Sequence, residues 1–286
     1  SVDYGSSWEK YCTIPQSYNA DLVVSPGPDR TAYVFQAGSI YRISNQNGAS
    51  CTNITDNGGL DVFKNDYNNQ PVGITNTGDI YVATASFGAP IQVWRSFDRG
   101  ESWYYYMTLP NATSANPDYV FSFAISPVDP SRVAYSKQIG SNDITRGYYF
   151  TEDAGENWSL TASLYEGRKI LYHPTEANIV YRMDLPFHQI SIDSGNTWSG
   201  TGMTWLSTQY GLNNRTAIDI KSGKAYRLNP TVAGVTILEV SSDITTSGTH
   251  TWSTVYTFNS DSGVVGSGMN VSVLGNESDL SSPTIL

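Results

Sequence analysis

Of the chain's 286 residues only 15% are charged while 13% are aromatic, and its 20 Tyr and 7 Trp sit among many Ser, Thr, Asn and Gly, a balance that disfavours long helices and suits short strands joined by tight turns. The formal net charge of −10 and a pI near 4.6 argue against duplex nucleic acid or an anionic membrane as partner, because neutralising phosphate takes clustered Lys and Arg. No stretch approaches the ~18 to 20 apolar residues of a membrane span, so insertion into a bilayer is not expected.

The chain opens on SVDYGSSW (Ser1 to Trp8), the first copy of a Ser-x-Asp-x-Gly-x-Thr/Ser-Trp motif. The segments DLVVSP and TAYVF then read as an inner and a second strand. They lead to a degraded copy, SNQNGASC (Ser44 to Cys51), with Gln46 in the Asp place and Cys51 in the Trp place. The strand IQVW precedes SFDRGESW (Ser96 to Trp103). FSFAISP and RVAYSK precede TEDAGENW (Thr151 to Trp158), and KILYHP and NIVYRM precede SIDSGNTW (Ser191 to Trp198). AIDIKSG and KAYRLN precede a sixth copy, SSDITTSGTHTW, which keeps Asp243, Thr251 and Trp252 around an insertion.

Each copy has the chemistry of a hairpin turn: the Asp carboxylate accepts bonds from the turn's own N–H groups, and Gly takes a dihedral that a Cβ would oppose. Asp3, Asp98, Asp153 and Asp193 are therefore expected to serve folding, as are Trp8, Trp103, Trp158, Trp198 and Trp252, which pack the turns onto their sheets. Successive copies end 40 to 55 residues apart, the length of one four-stranded unit. The 34 residues after Trp252 and the 8 that end at Trp8 amount to one further unit. The final SSPTIL reads as the strand that precedes a turn. The expected fold is thus all-β: a six-bladed β-propeller, residues 1–286 forming one domain, with the last blade closed by the N-terminal strand.

These motifs resemble the Asp-box, or BNR, propellers, a group that includes six-bladed sialidases, other glycoside hydrolases, sortilin-type receptor domains and several lectins. The resemblance implies the architecture and leaves function to the site. A sialidase is similar in placing Arg-Ile-Pro near its first inner strand, where this chain has Thr13-Ile14-Pro15. Arg168 and Arg215 stand where two substrate-clamping arginines would, with Glu166 nearby, but the missing first arginine removes a major donor set for a carboxylate. AISPVDPSRVAY and LYHPTEANIVY are similar to blade openings of xyloglucan-type hydrolases, which pair two propellers around a cleft.

Glycoside hydrolysis needs two carboxyl groups across the scissile bond. Asp21 and Asp118, at the starts of inner strands, are the candidates, with turn capping as their alternative role; Asp61, Asp184 and Asp219 are weaker. His173, His188 and His250 show no ligand spacing, so neither a metal nor another cofactor is expected. Aromatics outside the turns are Trp94, Trp205, Tyr104, Tyr105, Tyr106, Tyr119, Tyr148, Tyr149 and Tyr210, and strand pairing accounts for many of them. Trp205 and Tyr210, in one long loop, are the first choices for ligand contact, joined by Tyr119, Arg168 and Arg215.

Cys12 and Cys51 could form one disulfide in an oxidising compartment, and Asn53, Asn111, Asn157, Asn214, Asn270 and Asn276 head glycosylation sequons. The reading that follows is an extracellular propeller that binds a glycan or glycoprotein without strong catalytic machinery. Its alternatives are a glycoside hydrolase using channel-mouth carboxylates, and a structural module that assembles with itself or other extracellular proteins.

Overall fold

A computed structural model describes residues 12–15, 20–25, 31–36, 39–44, 50–55, 72–84, 90–113, 119–138, 147–162, 167–173, 175–184, 187–204, 216–219, 224–232, 235–243, 251–259, 273–274 and 284–285. Among these residues there is no helix; every regular element is a strand in an antiparallel sheet.

Among the described residues five sheets have four strands each, joined in sequence order as simple meanders. The first holds β1 (Ala20–Val24), β2 (Ala32–Gln36), β3 (Ser39–Ser44) and β4 (Ser50–Asn53). The second holds β5 (Val72–Ile74), β6 (Ile80–Thr84), β7 (Pro90–Ser96) and β8 (Tyr104–Thr113). The third holds β9 (Tyr119–Ile125), β10 (Val133–Gln138), β11 (Gly147–Thr151) and β12 (Ser159–Ala162). The fourth holds β13 (Gly167–Tyr172), β14 (Val180–Asp184), β15 (Phe187–Ser191) and β16 (Ser199–Thr204). The fifth holds β17 (Thr216–Asp219), β18 (Lys224–Val232), β19 (Val235–Asp243) and β20 (Trp252–Asn259), and β21 (Val273–Leu274) pairs with β22 (Thr284–Ile285).

First strands lie side by side, β5 against β9, β9 against β13, and β17 against β21. The sheets therefore stack face to face, and their middle strands are covered on both sides. This is why Ile80 to Ala83 and Gly147 to Thr151 are buried without interruption, where a sheet with one wet face would alternate. The fourth strands are the wet ones: β4 is mostly exposed, as are most of the described side chains of β20.

Four apolar clusters form the seams between successive sheets. Tyr33, Phe35, Ile40 and Ile54 of the first sheet meet Ile80, Val82 and Trp103 of the second. Tyr81, Val93, Met107 and Leu109 meet Phe123, Ile125, Val133 and Tyr135 of the third, with Trp158 packed alongside. Tyr148 and Phe150 meet Ile170 and Tyr172 of the fourth beside Trp198, and Tyr181 and Ile190 lie beside Trp252 of the fifth. Each such aliphatic or aromatic side chain contributes about 1.5–3 kcal/mol by leaving water. In every seam the tryptophan belongs to the later sheet and packs towards the earlier one.

Three turns share one geometry. The hydroxyl of Ser96, Thr151 or Ser191 donates to Oδ1 of Asp98, Asp153 or Asp193, and accepts from the N–H of Gly100, Gly155 or Gly195. The same Oδ1 accepts the N–H of Ser102, Asn157 or Thr197 at 2.8–2.9 Å. Arg99, Ala154 and Ser194 take φ near +60°, and the glycine after each lies at +85 to +93°. Trp158 and Trp198 close their turns by donating Nε1–H to the carbonyls of Gly155 and Gly195.

At the C-terminal end Thr284–Ile285 pairs with Val273–Leu274, and β21 lies beside β17. Strands near in sequence pair by preference when the connection is short. Asp3 and Trp8 lie outside the described residues, as do the sequon positions Asn214, Asn270 and Asn276.

Candidate functional site

Position Arg95 of β7 breaks the pattern of the seams. The corresponding residues before the other turns, Phe150 and Ile190, are buried apolar side chains. Here a guanidinium faces the third sheet instead, and it needs a counter-charge to be tolerated there. Asp79 supplies it, with Oδ2 at 2.9 Å from Arg95 Nη2. The rings of Tyr81 and Tyr106 flank the guanidinium at 5.1 and 5.8 Å, and Tyr106 donates its hydroxyl to the carbonyl of Pro130 in the third sheet's first turn. Burial raises the phenol pKa of Tyr81 and of Tyr106, against the opposing pull of Arg95, so both remain neutral donors.

Outward of this pair the corner turns aromatic. The Arg95 guanidinium stacks 3.7 Å from the centroid of Phe97, and Phe97 sits 6.1 Å from Tyr104 with the rings inclined at 52°. Arg95 and Tyr104 are register partners on β7 and β8, which places their side chains on one face. Phe97 and Tyr104 are 56% and 55% exposed, so two neighbouring rings face water together. On the opposite face Tyr105, 54% exposed, meets the edge of Trp94 at 6.2 Å and shares a hydroxyl bond of 2.9 Å with Thr108. A ledge of exposed rings thus stands beside a neutralised Arg–Asp pair, an arrangement that can take an apolar ring face and bond its hydroxyls.

A second polar group lies one seam on. Arg132 bonds Asp129 through Nε at 3.1 Å and Glu152 through Nη1 at 2.5 Å, and reaches Ser194 Oγ in the fourth sheet. It straps two sheets together. Burial pulls the Asp129 carboxyl upward, but bonds from Ser131 and Arg132 outweigh it and leave the group below its ordinary range. The carboxyls of Asp98, Asp153 and Asp193 are also held low, so each of these four groups suits accepting bonds rather than donating a proton to a leaving group.

Asp21 pairs with Phe35 in register, Tyr119 opens β9 opposite Gln138, and Arg168 stands at a register shift between Gly167 and Lys169; the side chains of all three lie outside the described residues. Asp118, Glu166, Trp205, Tyr210 and Arg215 lie outside them altogether. Tyr148 and Tyr149 belong to the core. His173 is buried and uses Nδ1 to accept the N–H groups of Thr175 and Glu176, capping a turn as Thr75 and Ser126 do. Among the described residues no group of three or more His, Cys, Asp and Glu could hold a metal. Sequence reading missed Phe97 and Arg95. Phe97 occupies the variable position between Ser and Asp of the turn, and a large ring there was the available signal.

Stacked four-stranded meanders with their first strands side by side and their fourth strands outermost are the architecture of a β-propeller, and solved structures similar to this chain include propeller proteins. One is the SapL1 lectin in complex with alpha methyl fucoside, with TM-score 0.56 and 14% identity over 91% of this chain and 86% of that one. Another is a putative TolB from Agrobacterium tumefaciens, with TM-score 0.56 and 14% identity over 84% and 81% of the two chains. A third is the GH74 xyloglucanase from Xanthomonas campestris, with TM-score 0.54 and 15% identity over 82% of this chain; the match spans 37% of the xyloglucanase. Identities this low speak for the fold alone. No family model matches the chain, and no curated protein does.

Proposed function

We propose that this chain is a carbohydrate-binding propeller, and that the corner formed by Arg95, Phe97 and Tyr104 is one place where it holds a glycan. The observation that carries the reading is the exposed pair Phe97 and Tyr104 beside Arg95, whose charge is already matched by Asp79. Rings that remain wet on a well-packed scaffold are suited to the apolar face of a pyranose, and the adjoining donors and acceptors to its hydroxyls. A matched Arg–Asp pair on a chain of net charge −10 favours a neutral glycan over a sialylated or sulphated one. The fucoside-bound lectin and the xyloglucanase among the structural neighbours are compatible with this reading.

The finer parts of the proposal are a ring of six blades built on Asp-box turns, closed by pairing the two ends of the chain, and an extracellular location where the sequons can carry glycans. Trp205, Tyr210, Tyr119, Arg168 and Arg215 remain proposed ligand contacts on the same scaffold.

A glycan array with parallel measurement of reducing-sugar release tests the reading. Binding to neutral glycans without turnover, weakened roughly tenfold by Phe97→Ala, is expected. Array binding that survives Phe97→Ala and Tyr104→Ala but falls with Trp205→Ala moves the site to the loop. Turnover abolished by Asp21→Asn or Asp118→Asn makes the chain a glycoside hydrolase instead.

A further inference from the structure

Cys12 and Cys51 are joined by a disulfide, with their Cα atoms 6.0 Å apart. Their places in the repeat say more than the bond itself. Cys51 stands where the other turns carry tryptophan, and Cys12 stands four residues beyond Trp8, as Met107 stands four beyond Trp103.

Met107 is buried in the seam between the second and third sheets and presses on the next turn: a Cβ at Gly155 would meet its Sδ at 3.2 Å. Trp158, which closes that turn, packs on the same cluster. One seam earlier Ile54, just past β4, presses on Gly100 in the same way, within the cluster that holds Trp103. A residue late in one repeat set against the Gly/Trp turn of the next is therefore a recurring contact between neighbouring sheets. Cys12 and Cys51 occupy its two sides.

We infer that the disulfide is a clasp between repeats, the covalent form of the Met–Trp seam, joining the segment that follows the Ser1 to Trp8 motif to the first complete sheet. Two cysteines bury far less apolar surface than a methionine and a tryptophan, so packing alone would leave this seam the weakest. The bond compensates. The seam is consequently the one that responds to thiols: a dithiol reductant breaks the S–S bond, leaves two cysteine thiols and departs as its own cyclic disulfide. This inference is independent of what the Phe97 corner binds.

The test compares melting of the oxidised protein, the same protein with dithiothreitol, a Cys12→Ser/Cys51→Ser variant and a Cys12→Met/Cys51→Trp variant. Reduction and the serine pair are each expected to lower the melting temperature by roughly 10 °C. The Met/Trp pair should recover at least about half of that loss and ignore dithiothreitol. If the serine pair fails to fold, the oxidised and reduced native chains and the Met/Trp variant still decide. A Met/Trp variant that melts no higher than reduced native protein overturns the inference, as does an oxidised protein whose melting dithiothreitol leaves unchanged.

Discussion

At the scale of single residues, the glycines of the three described turns are constrained twice over, by dihedral and by space. Gly100 lies at φ +85°, and a Cβ there would fall 2.3 Å from Ile54 Cδ1, which is wholly buried. Gly155 lies at +93°, but its neighbour is the Sδ of Met107 at 3.2 Å, part of a side chain with rotamers to spare. Both substitutions to alanine incur the left-handed penalty of about 1–2 kcal/mol. Gly100→Ala should therefore destabilise by roughly 1 kcal/mol more than Gly155→Ala, because Ile54 has no room to move. Urea midpoints of the two variants check this, and equal losses would show that the dihedral decides alone.

Among elements, the outer strands and the turns divide labour. Trp198 fills the seam between the third and fourth sheets, with its ring 5.6 Å from Phe150 and the guanidinium of Arg182 4.4 Å above it. Trp198 is half-buried, so Trp198→Ala should cost about 2–3 kcal/mol, somewhat below the range for removing a large aromatic from a fully closed core. Tyr104 on β8 is largely exposed, and Tyr104→Ala should change stability by no more than about 0.5 kcal/mol. Thermal unfolding of the pair separates the two roles. A Tyr104→Ala loss as large as that of Trp198→Ala would show the ledge to be part of the core and unsuited to a ligand.

For the whole molecule, the turns add up to a pH dependence. Bonds from the N–H of Asn157 and from Thr151 bring the Asp153 carboxyl from its ordinary 3.8 down to about 2. In Asp193 the Thr197 hydroxyl leads the same effect, while in Asp98 bonds from Ser102 and Ser96 overcome an upward pull from burial. A carboxyl whose pKa is lower folded than unfolded adds stability that is complete above about pH 4 and is lost as pH falls towards about 2. With Asp129 shifted the same way, melting temperature should hold from about pH 7 to 5 and drop steeply below about pH 4. A flat profile down to about pH 2.5 would contradict this. The clasp acts on the same scale: closing a loop of 39 residues restricts the unfolded chain by about 4 kcal/mol on the chain-entropy account.

Composition and the recurring motif by themselves determined an all-β chain of repeated sheets, since Ser, Asp, Gly and Trp at fixed offsets encode a turn through bonds local to eight residues. The second strands TAYVF, RVAYSK, NIVYRM and KAYRLN were legible for the same reason, as short apolar runs next to turn residues. What only the tertiary structure decided was which rings are buried. Tyr148 and Tyr149 lie in seams while Tyr104 and Tyr105 face water, although all four read alike as strand tyrosines. A covered strand and an edge strand carry the same residue types, and the difference is set by the sheet that stacks against them. The site followed the same logic: Arg95 and Asp79, sixteen residues apart, meet because β6 and β7 pair, and Phe97 joins them through the turn that follows.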